Sequence, residues 1–514
     1  MKNLFAAPLE LVGTGLAPGR NPDSVPFWAD ARNVHFTRFG AQGMRGFRAP
    51  QNDAIFFDAA PGMFDAAAGL FDSGGGAGAG PLVPPATSSI RGLLSYRLAT
   101  KLGRLVFSTI DKVWVWDGGV SATEVQSGLA GVDDEQASIG VEATFNSLTN
   151  WGDWFLLSNF IDTIRIYKTG GSMAVLTGSP PAKAKCLAKL GPHVLAFNIP
   201  LGTNYMAWCA EDNVEQWDNA TDPTAGNLPV RDLENGIECV VPLGEALAIY
   251  SRNELQMLNY LGGIFQFGAK PQVDDIGGLS LQSVVSTGPR NYGLWLNGIF
   301  ETDGFSKRIV SDAEFGRWFQ KHVNLDQKTK VAGWHESKLN QFRWAVPIDG
   351  SKVPNFQIGY NYLNGAFSFY DQAISIGNSP GVFDFATVGT PSGKLFWTES
   401  SDTIQFDGGP INSYLISKPL HLDAELAWKT LQFIQLKLKD LVSEDLQLHL
   451  GWQEKSNDTI QWYGPYPINA EMYELFPGNL GFVYLTIKLV AQSSAAQWTL
   501  EQIKAQGVPA GKRA

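Results

Sequence analysis

Between residues 90 and 410 the apolar positions fall in short runs, alternating or continuous, and each run is closed by glycine. That period belongs to half-buried or fully buried strands, not to amphipathic helices. The runs come in pairs. "GDWFLLSNFIDTIRIYKTGG" (152–171), "GPHVLAFNIPLGTNYMAW" (191–208), "GEALAIYSRNELQMLNYLGG" (244–263) and "YGLWLNGIFETDG" (292–304) each read as strand, polar turn, strand, and 338–371 reads as a longer version of the same unit. The clearest self-match sets "GRLVFSTIDKVWVWDGG" (103–119) against "GKLFWTESSDTIQFDGG" (393–409), with Leu105 opposite Leu395 and Phe107 opposite Trp397. Further short strands are expected at 90–96, 184–190, 237–243 and 281–287.

Hairpin units repeating every 40 to 55 residues or so predict an all-β chain whose middle part, 87–410, is a β-propeller of six or seven blades, six favoured. A single blade cannot bury both faces, so neighbours must stack and the ring must close. A set of unrelated sandwiches with similar hairpins is the alternative. Closure requires a strand from the far end of the chain to satisfy the last sheet's backbone groups. The N-terminal segment 1–50 is the candidate, with Val34, Phe36 and Arg45 as its ring-closing or clamping residues.

The segment 51–86 differs in character. Phe57, Phe64 and Phe71 each precede an Asp, seven residues apart, ahead of a Gly/Ala run and a Pro-rich exit. Pro61, Gly62 and Gly69 weaken any helix there, so a mobile arm is expected, either docking its phenylalanines on a neighbouring chain or folding back on its own. The polar, turn-rich stretch 211–235 is expected to cover one rim. From 411 to 514 the repeat stops, and alternation at Leu446, Leu448 and Leu450 predicts a separate C-terminal antiparallel β-sandwich.

Composition supports this picture: 55 Gly, 31 Phe and 16 Trp, with only 17% charged residues, suit aromatic strands punctuated by turns. The net charge of −11 argues against sequence-specific DNA binding, though it suits a surface that DNA slides past. Cys186, Cys209 and Cys239 are too few and too irregular for a disulfide scaffold or a zinc site. Neither a secretory leader nor a membrane-spanning segment is recognisable, which leads us to expect a product made in the cytoplasm.

Catalytic signals are weak. His35, His193, His322, His335, His421 and His449 have no metal-ligand spacing, and no GxSxG elbow, Walker loop or Rossmann fingerprint is present. Asp133, Asp134 and Glu135, or Asp274 and Asp275, could offer oxygen ligands to a cation, but neither group has EF-hand spacing and both read better as solvated turns. Trp116-Asp117 and Trp217-Asp218 lack the upstream Gly-His of WD repeats. Neither catalytic residues nor a cofactor are expected.

The opening "LAPGRNPDSVPFWADARNVHFTRFGAQGMRGF", the stretch 206–263 with its Trp-rich strand and Gly-Gly-ended hairpin, and the C-terminal "WKTLQFIQLKL" and "QWTLEQIKAQG" together resemble the tail nozzle, or packaged-DNA stabilisation, proteins of short-tailed bacteriophages. The resemblance implies a structural virion protein assembled in the host cytoplasm. It would form a homo-oligomer, commonly six copies around the tail axis, bound to the portal or its adaptor ring. A tail fibre or tailspike would attach at the side, and DNA would pass through the lumen. The arm at 57–85 departs from that pattern. A propeller hydrolase or lyase acting on polysaccharide is the rival, because many Trp and Tyr serve a sugar platform as readily as a core.

Overall fold

The computed structural model describes residues 5–9, 28–37, 40–48 and 88–510, the last apart from 119–121, 132–144, 231–232, 234, 264, 270–272, 401–404, 408, 421–426, 440, 442–445, 456–457, 479 and 492–497. The chain is all-β, built of many small antiparallel sheets. Among the described residues no helix is long and apolar enough to cross a membrane.

Seven of the sheets follow one another along the chain, six with four strands and one, the fourth, with five. Their first strands are Gly92–Arg97, Ser147–Trp151, Cys186–Leu190, Cys239–Leu243, Val284–Ser286, Ala332–Glu336 and Ile376–Asn378. The hairpins at 152–171, 191–208, 244–263 and 292–304 supply the second and third strands of sheets two to five, and 90–96, 184–190, 237–243 and 281–287 overlap first strands. The sequence signal is the turn itself. Gly152, Gly191 and Gly244 sit at φ of 58°, 59° and 61° in two-residue turns, a conformation that costs a residue with Cβ dearly and matches the twist of the flanking strands.

Each first strand lies against the first strand of the next sheet, and that of the seventh lies against that of the first. The seventh sheet runs Ile376–Asn378, Thr387–Gly389, Leu395–Ser400 and then Gly46–Arg48, taking its fourth strand from near the N-terminus. The two best-matching repeats are therefore not equivalent. Residues 103–108 and 113–116 are the second and third strands of sheet one, whereas 395–400 is the third strand of sheet seven and 405–406 leaves it to pair with 409–410. Hairpin chemistry is generic, so the match marked strands without fixing their place in a sheet.

Two larger sheets remain. Strands β1 (Phe5–Leu9), β3 (Val34–Thr37) and β4 (Gly40–Gly43) join a seven-stranded sheet with Lys429–Lys439, Met472–Leu475, Gly481–Phe482 and Thr499–Pro509; β2 (Trp28–Arg32) edges a five-stranded sheet with Ser413–Ser417, Leu446–Gln453, Gln461–Pro467 and Tyr484–Ala491. The interval 411–514 thus does not complete its own sheets; the N-terminal strands do. Leu431, Ile434, Leu448, Leu450 and Ile487 from the two sheets belong to one buried cluster with Leu294, Phe342 and Phe369 of sheets five and six. Helix α1 (Ala313–His322) adds Phe315 and Phe319 to that cluster, and its Trp318 stacks on Phe369 at 4.7 Å. Asp312 caps it, accepting from the Phe315 N–H at 2.7 Å.

Candidate functional site: the junction at the N-terminal hairpin

The expected ring-closing residues separate into two roles. Val34 and Phe36 lie on β3, which pairs with β4 and not with the seventh sheet, and both are buried in the core shared with the two larger sheets. The strand that does pair with the seventh sheet is β5 (Gly46–Arg48), immediately after the half-buried Arg45. The edge of the seventh sheet is thus filled from Gly46 onward, while Val34 and Phe36 face the buried cluster of the larger sheets. Phe57, Phe64 and Phe71 lie outside the described residues, as do His421, Asp133, Asp134 and Glu135.

Alternation places the intervening residue, His35, on the other side of β3. There it meets a buried polar network. Its Nδ1 is 2.6 Å from the Tyr370 hydroxyl and its Nε2 is 3.0 Å from Glu399 Oε2. Glu399 Oε1 accepts from Arg343 Nη2 at 2.5 Å, and the Gln341 side-chain oxygen accepts from both Arg343 Nε (3.0 Å) and Tyr370 (2.9 Å). The Arg343 guanidinium also stands 4.4 Å from the centre of the Tyr370 ring. Gln341, Arg343 and Tyr370 come from sheet six and Glu399 from sheet seven, so β3 is tied to two sheets at once.

Glu399 reaches this position by an unusual backbone. Its φ is 56°, at an irregularity in the pairing of Leu395–Ser400 with β5, and such a bulge re-aims a side chain that regular pleating would point elsewhere. Asn33, one residue before β3, is also left-handed, at φ 55°, and is saturated with partners. Its side chain donates to Asp371 Oδ1 (2.8 Å) and to the Asn412 carbonyl (2.6 Å) while accepting from Gln372 Nε2 (3.0 Å), and its own N–H donates to the Phe369 carbonyl. Asn tolerates this conformation better than other residues with a Cβ.

Burial sets the charges. It lowers the pKa of His35 below its ordinary value, with Arg343 and Arg45 adding to the effect and Glu399 opposing it. Burial alone would raise Glu399, but the His35 and Arg343 side chains outweigh it and hold the carboxyl at about 2. A second buried carboxyl, Glu336, is pushed upward, chiefly by burial; it accepts from Trp334 Nε1 at 2.9 Å and Thr398 Oγ1 at 2.6 Å. Two carboxyls with separated pKa values can divide acid and base roles. Here both are shut from solvent, at 3% and 6% exposure, so the arrangement acts as a strut.

Sequence reasoning missed these residues, although Arg343 within "QFRWAV" and Glu399 within "LFWTES" are the charges in strands rich in large apolar residues, a pattern that signals a buried pair. The other candidates are dispersed. Asp275 pairs with Lys307 at 2.9 Å, and the same lysine takes the Asp274 carbonyl, so that pair is a surface ion pair. His193 is buried, its Nδ1 2.7 Å from the Cys209 carbonyl. Cys186, Cys209 and Cys239 are buried free thiols. Among the described residues no group of three or more His, Cys, Asp or Glu side chains could hold a metal ion. No family model and no curated protein matches the chain.

Proposed function

We propose that this chain is a structural subunit of a short-tailed bacteriophage virion, a tail nozzle. In this reading its seven consecutive small sheets are the blades of a β-propeller, and the two larger sheets form a sandwich fastened to it. The observation that carries the reading is the cyclic adjacency of the seven first strands, together with β5 completing the seventh sheet from the other end of the chain. That arrangement is stiff, because every sheet packs face to face with two others and no blade is left with an open seam. The His35 strut adds a second fastening, so the N-terminal hairpin cannot leave without uncovering buried charge.

Several such subunits, six in the resembling family, would build a rigid conduit below the portal and adaptor ring and offer an outer face to a fibre or tailspike. The net charge of −11 would discourage the wall from holding DNA phosphates during ejection. Electron microscopy of the purified chain mixed with portal and adaptor is the test. Closed rings that form on the portal–adaptor end support the nozzle. A monomer that ignores portal and adaptor and depolymerises capsular or cell-wall glycans overturns it in favour of a propeller hydrolase or lyase.

A further inference from the structure

Among the described residues six large apolar side chains are at least 60% exposed, and four of them, Leu261, Phe265, Phe305 and Leu363, belong to one end of three consecutive sheets. They occupy the turns from third to fourth strand, which join Tyr260 to Phe267 in sheet four, Thr302 to Lys307 in sheet five and Asn361 to Phe367 in sheet six. In an up-and-down sheet those turns share an end with the turns from first to second strand, and contacts between the sheets bring them into one row. The Gly244 N–H donates to the Gly288 carbonyl at 2.7 Å, joining the first turns of sheets four and five. Gly304, beside Phe305, has no room for a side chain, because Met257 and Leu243 of sheet four stand against it. Tyr362, beside Leu363, has its ring 6.2 Å from that of Tyr292 in sheet five.

Charge is distributed unevenly along this end. Neither 255–269 nor 353–370 contains a single Asp, Glu, Lys or Arg. In the turn of sheet five Asp303 is folded back, its Oδ1 accepting from the Phe305 N–H at 3.0 Å and the Ser306 N–H at 2.8 Å, and Lys307 is paired with Asp275. The corresponding turn of sheet three is the opposite: between Trp208 and Gly226 it carries Glu211, Asp212, Glu215, Asp218 and Asp222 and no Lys or Arg. That acidic turn flanks the apolar row. The Asp212 N–H donates to the Pro192 carbonyl at 3.0 Å, and the next residue, His193, has its Nε2 3.2 Å from Gln266 Oε1.

Large apolar side chains held in water on charge-poor turns mark a surface that is covered in use. A protein partner covers such residues with a continuous, well-packed apolar core, whereas these four are carried on three separate turns, beside the polar Gln266, Ser306 and Asn364. A fluid interface needs no matching shape. We propose that this end of the chain lies against a lipid bilayer, with Leu261, Phe265, Phe305 and Leu363 entering the headgroup boundary while the acidic turn of sheet three stays in water. Each apolar side chain gains by leaving water, and the turns of sheets four and six bring no charge in with them. The five carboxylates repel an anionic surface, so the membrane that fits is zwitterionic. The contact is peripheral and does not rest on the nozzle reading: assembly on portal and adaptor can fail while it holds, and the reverse.

Flotation of the full-length chain with phosphatidylcholine vesicles tests it. Half-saturation on the order of 1 mM lipid is expected, and replacing about a third of the lipid by phosphatidylglycerol should weaken binding several-fold, an effect that salt removes. Phe265→Ser and Phe305→Ser should each weaken it about fivefold and Leu363→Ser about threefold. Leu201→Ser and Phe476→Ser remove comparably exposed side chains elsewhere, from the turn between the second and third strands of sheet three and from beside Met472–Leu475, and should change nothing. A polarity-sensitive dye on Phe305→Cys should shift to the blue on vesicles and one on Leu201→Cys should not; the native thiols at Cys186, Cys209 and Cys239 are buried, which keeps the labelling selective. Absence of vesicle binding overturns the proposal, as does an equal loss in Leu201→Ser or tighter binding to the anionic vesicles. Self-association that Phe265→Ser abolishes, without vesicle binding, would show that a second copy covers the row and also overturns it.

Discussion

Sheet seven packs through carbon on both sides, but among the described residues only one side adds buried charge. Toward sheet one the seam is carbon: Trp116 lies 6.4 Å from Trp397 and 5.9 Å from Phe383, in a buried cluster with Ile90, Leu105 and Leu395. Toward sheet six and the N-terminal hairpin a second apolar cluster, with Met44, Trp334, Val388 and Phe396, is joined by charge, with Glu399 between His35 and Arg343. Apolar packing is non-directional, stabilises in proportion to area and tolerates repacking, whereas a buried ion network stabilises little in net terms and penalises every incomplete version of itself. The carbon seam therefore supplies adhesion. The charged seam supplies selectivity: β3 fits only with His35 at its one position.

The largest effect should follow from removing the guanidinium. Arg343→Met leaves Glu399 and Glu336 buried without their shared cation, and the expected loss is about 5 kcal/mol at neutral pH, the upper range for breaking one side of a buried pair. Denaturant unfolding measures it. Below the ordinary carboxyl value of 4.5 the same variant should recover part of the loss, since Glu399 can then be buried neutral. A pH-independent loss would show that packing, not charge, dominates at this seam. Trp116→Ala is the counterpart on the carbon side. Its expected cost is about 3–4 kcal/mol, from lost burial and the cavity left behind, with no dependence on pH.

Much of the adhesive part was legible in the sequence, and little of the selective part was. Trp114, Trp116 and Trp397 announce themselves because an apolar run bounded by glycine means a buried strand whatever it packs against. The pairing of β5 with Leu395–Ser400 needed only the argument that an open edge must be filled, yet the argument could not choose between Val34 and Gly46, since both lie in short strands of the same hairpin region. The strut was hidden for another reason. His35, Arg343, Tyr370 and Glu399 are spread over 365 positions, and Glu399 turns inward only through a bulge at φ 56°, which no periodicity encodes.

Acid should act on one seam alone. The His35 pKa in the folded chain lies below its ordinary 6.5, so the unfolded chain takes up the proton first as pH falls. Stability associated with His35 is therefore complete above 6.5 and declines below it, with a slope of at most about 1.4 kcal/mol per pH unit. Glu399, held at about 2 against an ordinary 4.5, continues the decline from 4.5 downward. Glu336 runs the other way: its raised pKa contributes stability below 4.5 that is lost as pH rises through its folded value. Replacing His35 with Gln should reduce the slope of the unfolding free energy below pH 6.5, leaving the part carried by His335 and His449, whose pKa values burial also lowers, while Trp116→Ala leaves the whole slope untouched. A slope undiminished in His35→Gln would move the acid sensitivity away from the junction.

The smallest effect probes whether the two larger sheets are fastened by either mode. Helix α1 contributes Phe315 and Phe319 to the cluster that joins sheets five and six to the two larger sheets, and Asp312 fixes where the helix starts. Asp312→Ala removes the bond to the Phe315 N–H, and because that donor lies at a partly exposed helix end, water replaces the lost partner in part. The expected cost is about 1 kcal/mol. If the joint is one continuous core, that loss appears in a single unfolding transition shared by the small sheets and the two larger ones. If the joint is weak, α1 frays alone: the loss vanishes from the main transition, and amide exchange accelerates across Ala313–His322 while β3, pinned by His35, keeps its protection.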